Sequence, residues 1–129
     1  MKFLIDSDRT IDFLKNSIDA VRTMAPLLRA GAFLSVISYG EVLEGVLGSR
    51  TRASDEPAFR TFLRSVTVLA VDAAVAERFA AIRLDLRQRG LLIPDNDLWI
   101  AATAIEHDLE VVTGNRRHFD RVPGLRIHV

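Results

Sequence analysis

The sequence predicts an α/β fold of three layers, with helices on both faces of a central, mostly parallel sheet. Three observations predict it. Short apolar runs alternate with segments of helical period, the order expected of strands joined by helical crossovers. Polar and acidic residues recur just after those runs. One later segment, Leu98 to Ile105, is apolar on nearly every side and reads as a helix pressed on the sheet.

The first run is Phe3-Leu4-Ile5, short and continuous, which suits a strand buried on both faces. Asp6 and Asp8 follow at once. A carboxylate at the end of a buried strand is costly unless a cation or hydrogen bonds compensate it. Either acid can instead cap the next helix, which the spacing places at about Arg9 to Asn16. A second helix is expected over Ile18 to Ala30, closed by Gly31 and interrupted or kinked at Pro26. Ala32 to Ile37 reads as the second strand. Ser38 and Glu41 then have the S-x-x-E spacing of a capping box, although a carboxylate there can also point past the helix start towards the strand ends.

Residues 48–56 are polar and read as a loop, with Pro57 opening a helix to about Ser65. Thr67 to Val71 is expected as a strand, and Asp72 as a plain cap for a helix over Ala73 to Arg89 that ends at Gly90. Asp95 or Asn96 can cap the apolar helix, with Asp97 in its first turn, where the helix dipole favours a carboxylate. Trp99 reads as core. Glu110 to Thr113 is the next strand. Asn115 is placed to cap a short helical turn, and residues 125–129 are expected as a last strand after the Pro123-Gly124 turn.

The 129 residues are the length of one ordinary domain, expected to span residues 1–129. The chain has no Cys, which excludes a disulfide framework and a thiolate metal site. No apolar run approaches the ~20 residues of a membrane span, and early charges argue against a signal peptide, so a cytoplasmic location is expected. With 17 basic and 17 acidic residues the formal charge is zero, which argues against a general nucleic-acid coat and leaves room for a local basic patch. Nearly all the basic residues are Arg, whose planar forks suit phosphates; Lys occurs only at Lys2 and Lys15.

Crossovers of one hand bring strand C-termini to one edge of the sheet. Asp6/Asp8, Ser38/Glu41 and Thr113/Asn115 follow three predicted strands, and Asp95/Asp97 open the most buried helix. Carboxylates converging there would raise one another's pKa. Oxygen-only sites of this kind suit Mg2+ or Mn2+, and phosphoryl transfer is their natural chemistry.

Four stretches carry a family resemblance: residues 4–8 (Leu-Ile-Asp-Ser-Asp), 37–42 (Ile-Ser-Tyr-Gly-Glu-Val), 96–104 (Asn-Asp-Leu-Trp-Ile-Ala-Ala-Thr-Ala) and 112–119 (Val-Thr-Gly-Asn-Arg-Arg-His-Phe). In this order and at this length the chain resembles the PIN-domain ribonucleases, of the VapC type found in bacterial toxin–antitoxin pairs. The resemblance implies a PIN-like fold and an endoribonuclease that uses Mg2+ or Mn2+. It implies that Asp6, Glu41 and Asp97 form the acidic, metal-binding core, with Asp6 and Asp97 holding the ion and Glu41 completing the shell or orienting water. Asn115 stands where many relatives have a fourth acidic residue and others an Asn. Asp8 stands where the family commonly has Asn, adding a carboxylate. Ser7 and Thr113 would orient carboxylates or waters, and Asp95, which matches no family hallmark, ranks as auxiliary. Homodimerisation and inhibition by a cognate antitoxin are further implications, the groove beside residues 50–57 being one place for that partner.

Arg9, Arg116 and Arg117 can contact RNA phosphates or simply form a solvated face. His118, next to Phe119 in a short turn, reads as structural rather than as a base; His107 and His128 look unremarkable. Two competing readings remain. Asp6-Ser7-Asp8-Arg9-Thr10 matches the D-x-D-x-T start of haloacid-dehalogenase-like phosphatases, but no Lys follows Lys15 to serve their second half, and those enzymes usually need a longer chain. A non-catalytic RNA-binding or dimerisation module is the other.

Overall fold

The apolar run at the start forms β1 (Phe3–Ile5), the inner strand around which a computed structural model, describing residues 2–128, is arranged. Its side chains alternate between two separate cores, as the two-residue period of a strand requires. Phe3 and Ile5 point into one with Met24, Leu27, Val42, Phe59 and Phe62; Leu4 points into the other with Leu86, Leu98, Ile100 and Phe119. Leu34 and Val112 join the first core, Phe33 and Val111 the second. The sheet is thus the middle of three layers.

The first layer comes from α1 (Ser7–Leu14) and α2 (Ile18–Gly31), then, after β2 (Ala32–Ser35), from α3 (Val36–Leu47) and α4 (Arg52–Leu63). After β3 (Val66–Leu69), α5 (Ala73–Gln88) and α6 (Asp95–Glu106) cover the other face; β4 (Glu110–Val112) and α7 (Arg116–Phe119) complete the order. The described strands run parallel in the order β3-β2-β1-β4. The layered, parallel architecture expected from the alternation is therefore present. No helix among the described residues is long and apolar enough to cross a membrane.

Several boundaries differ from expectation. β2 stops at Ser35 because its hydroxyl accepts the Ile37 N–H at 3.1 Å and caps α3. The helix therefore starts at Val36, and Ser38 and Glu41 form no capping box: Ser38 is buried with its hydroxyl unpartnered, and Glu41 lies more than a turn into α3. The polar stretch before Pro57 is helical from Arg52. Asp55 Oδ2 accepts from the hydroxyls of Ser49 and Thr51 at 2.6 and 2.7 Å, and Glu56 pairs with Arg52, local bonds that nucleate a turn. α2 likewise continues through Pro26. β3 runs from Val66 to Leu69, so it ends before Val71. The expected final strand is reduced to one parallel bridge between Ile127 and Val111; Val129 lies outside the described residues.

Other expectations stand. Asp72 caps α5 by accepting the Val75 N–H, and Gly90, at φ +69°, follows its end. In α6 the small residues Ala101, Ala102, Thr103 and Ala104 are all buried, so the helix backbone lies close on the sheet. Trp99, expected in the core, is instead half-buried and stacks on Phe79 with ring centroids 3.7 Å apart.

Candidate active site

Successive strands β1, β2 and β3 step across the sheet in one direction, whereas β4 pairs on the opposite side of β1. Strand order therefore reverses at β1. In parallel α/β sheets such a point opens a crevice beyond the strand C-termini, and ligands bind there. Asp6 follows β1 and Thr113 follows β4, so these two side chains meet at the crevice.

Asp6 is only 5% exposed. It stands at the N-cap of α1, where Oδ1 accepts the Ser7 N–H at 2.8 Å, while Oδ2 accepts the Thr113 hydroxyl at 2.8 Å. Capping and membership of the acidic cluster thus coexist in one residue. Burial pushes its pKa up to about 7, against the lowering effect of the Thr113 hydrogen bond; the negative charges of Asp8 and Asp97 push the same way as burial. Desolvation, more than the mutual repulsion expected from the sequence, is the larger cause.

Asp8 uses both oxygens on backbone: Oδ1 takes the Arg9 N–H at 2.7 Å and Oδ2 the Gly114 N–H at 2.9 Å. Burial raises its pKa as well. It therefore ties α1 to the loop after β4. That loop carries Thr113, whose hydroxyl also accepts the Asn115 N–H at 2.9 Å.

Glu41 arrives from α3. The Ser7 hydroxyl donates to its Oε1 at 2.6 Å and the Asn96 side-chain amide to its Oε2 at 3.1 Å. The sequence marked Ser7 for orienting a carboxylate; Asn96 it treated only as a cap, and neither Asn96 nor Asp95 caps α6, whose N-cap is Pro94. Because Asn96 was itself a good cap candidate, no local pattern marked it as a partner of Glu41.

Asp97, at the third position of α6, meets His118 of α7: Oδ2 lies 2.6 Å from Nδ1. The Asn115 side-chain amide lies 2.8 Å from the same ring nitrogen and makes no capping bond to α7. The structure thus puts His118 in the acidic cluster, where its position one residue before Phe119 had indicated only packing. Asp95 points elsewhere. It is 63% exposed and pairs with Arg83 of α5 at 3.1 Å. Arg9, half-buried, and Arg116, exposed, hold loose pairs with Asp12 and Asp120 at 3.8 and 3.9 Å; Arg117 is exposed and has no ion-pair partner among the described residues.

The donors gathered here are carboxylate oxygens and one imidazole. Among the described residues no three His, Asp or Glu side chains close into a ready-made metal shell. Mg2+ rarely demands one: it takes one or two carboxylates and keeps several waters. A buried Asp6 with Asp8 and Asp97 as electrostatic neighbours is an excess of negative charge that a divalent cation would relieve. The residues fit such an ion.

The chain belongs to the PIN domain family, whose sequence profile matches residues 3–125. It is 31% identical over 126 residues to the tRNA(fMet)-specific endonuclease VapC of Shigella flexneri, covering 98% of this chain and 96% of the relative. Among solved structures it is similar to DNA-bound VapBC from Salmonella typhimurium, with a TM-score of 0.91, 30% identity and coverage of 99% and 97%. It is also similar to VapBC2 from Rickettsia felis bound to a promoter DNA fragment, at a TM-score of 0.91, 25% identity and coverage of 99% and 98%. Membership of the family removes the ground for the phosphatase reading.

Proposed function

We propose that this protein is the toxin of a toxin–antitoxin pair, an endoribonuclease that hydrolyses RNA phosphodiester bonds with a divalent cation, Mg2+ or Mn2+. The observation that carries this reading is the buried carboxylate of Asp6 at the strand-order reversal, coupled electrostatically to Asp97 and bonded to Thr113. Asp6 and Asp97 would hold the cation, which supplies polarisation of the scissile phosphate and a more acidic water.

The chain's own residues do the rest. Ser7 and Asn96 aim the Glu41 carboxylate, which orients the attacking water and can accept its proton. Thr113 fixes the rotamer of Asp6, and Asn115 is fixed in turn by its backbone bond to Thr113. Asp8 holds the loop that carries both. Arg117, exposed and outside any ion pair of the described residues, would bind an RNA phosphate, and Arg9 and Arg116 can exchange their loose acidic pairs for one. Asp95, engaged with Arg83, takes no part.

A cognate antitoxin and a second copy of the chain are the protein partners of this reading. The surface beside α4 offers the antitoxin a groove with an apolar floor of Ile11, Leu14, Val42 and Val46 and a charged rim of Lys15 and Asp55.

The test is cleavage of RNA by the purified chain, in Mg2+ or Mn2+ against EDTA, beside the Asp6→Asn variant. Initiator transfer RNA is the first substrate to try, given the Shigella flexneri relative. Metal-dependent cutting that disappears in Asp6→Asn upholds the reading. Equal behaviour of the two proteins rejects it and favours a non-catalytic RNA-binding module.

A further inference from the structure

We propose that His118 is a positioning residue for Asp97, donating its Nδ1–H to Oδ2 so that Oδ1 alone is left to face the cation. The inference rests on the divalent-metal reading above and deepens it.

Three observations carry it. The Nδ1 to Oδ2 distance of 2.6 Å is short even for a charge-assisted hydrogen bond. The two residues lie on different helices, so the contact comes from the tertiary arrangement and not from a shared helical turn. Both side chains are sheltered, at 17% and 27% exposure, which limits competition from water.

Asp97, not Asn115, fixes the proton's place. One ring nitrogen cannot donate to Asp97 and accept from the Asn115 amide nitrogen, 2.8 Å away, at the same time. The carboxylate is the nearer and the charged partner, so it takes the proton. Turning the Asn115 amide over, which exchanges two near-isosteric groups, brings its Oδ1 to that side and lets Nδ1–H be shared between two oxygens.

The consequence is geometric. A carboxylate with two free oxygens swings between one-oxygen and two-oxygen binding of a cation. With Oδ2 held, Asp97 presents a single oxygen in a fixed direction. Groups that orient a ligand in this way typically contribute 10–100-fold to metal affinity or activity.

The experiment uses the full chain. Mn2+ binding is measured by EPR for wild type, His118→Ala, His118→Asn and Asp6→Asn, and the His118 tautomer is read by long-range 1H–15N NMR on metal-free wild type. An Asn at 118 keeps an N–H near the place of Nδ1–H. The expected result is Mn2+ affinity about 10-fold or more weaker in His118→Ala, recovered in His118→Asn, with wild-type His118 protonated on Nδ1. Unchanged affinity in His118→Ala overturns the inference while the metal reading stands. A His118 protonated on Nε2 alone, or a 14N coupling from His118 to bound Mn2+, overturns it too, the latter by making His118 a ligand. Wild type that binds Mn2+ no better than Asp6→Asn overturns the metal reading itself. The tautomer measurement needs no variant and decides the point even if His118→Ala does not fold.

Discussion

Asp8 occupies the space that a side chain at Gly114 would need. Its Oδ2 accepts the Gly114 N–H at 2.9 Å and would lie 2.8 Å from a Cβ built on that glycine. The carboxylate can withdraw only by giving up the bonds from Arg9 and Gly114 that hold it. Gly114→Ala should therefore destabilise the protein by about 1–3 kcal/mol, the usual range for overpacking. In an Asp8→Ala background the same change should cost less, with a coupling energy of at least ~0.5 kcal/mol. Urea denaturation of the four proteins checks this; strict additivity would mean the two residues do not compete for one space.

Stability of the metal-free protein should depend on pH through Asp6. Its folded-state pKa of about 7 lies above the ordinary 3.8, so its contribution is fully present below pH ~4 and is lost as pH rises through 7. At about 1.4 kcal/mol per unit this amounts to something on the order of 4 kcal/mol. Asp8 shifts in the same direction. Unfolding free energies at pH 4.5 and 8 should show wild type losing stability with rising pH and Asp6→Asn losing much less. Parallel pH curves would remove Asp6 as the source.

Replacing Thr113 by Val keeps the shape and removes the hydroxyl that serves Asp6 and Asn115. Two buried or half-buried groups lose a partner, at about 1–3 kcal/mol in stability. Because the Thr113 hydrogen bond lowers the Asp6 pKa, its loss should move the acid limb of the pH–cleavage profile to higher pH. A profile that stays in place would show that cleavage does not follow the ionisation of Asp6.

Asp95 and Asp97 are two residues apart and should behave oppositely. Asp95→Asn removes an exposed pair with Arg83, worth under ~1 kcal/mol, and should leave cleavage unchanged. Asp97→Asn removes an oxygen proposed to hold the cation and should lower cleavage beyond the ~100-fold that loss of a supporting residue brings. Comparable losses in both variants would place Asp95 inside the site after all.

The layered fold was legible because it rests on periodicity: Phe3-Leu4-Ile5 declared a strand buried on both faces, and the small residues of α6 declared a helix close to the sheet. The acidic residues were legible as types at element ends. What local pattern does not encode is who bonds to whom. Ser38-x-x-Glu41 matched a capping box, but Ser35, just before α3, had an equally good hydroxyl and won the cap. Ser49 and Thr51 looked like loop residues until Asp55 accepted from both. The partnership of His118 with Asp97 depends on how α7 packs beside α6, and no spacing in the chain expresses that distance.

The Asp6–Thr113 bond spans 107 residues. During synthesis Asp6 leaves the ribosome early, whereas β4, Thr113 and His118 come after every other contributor to the crevice. Until they emerge, the inner strand has no neighbour on one side and Asp97 has no imidazole. A nascent chain, or one broken off before β4, cannot carry a finished centre. For a protein whose proposed target is RNA, that order of assembly makes the centre the last part of the chain to be completed.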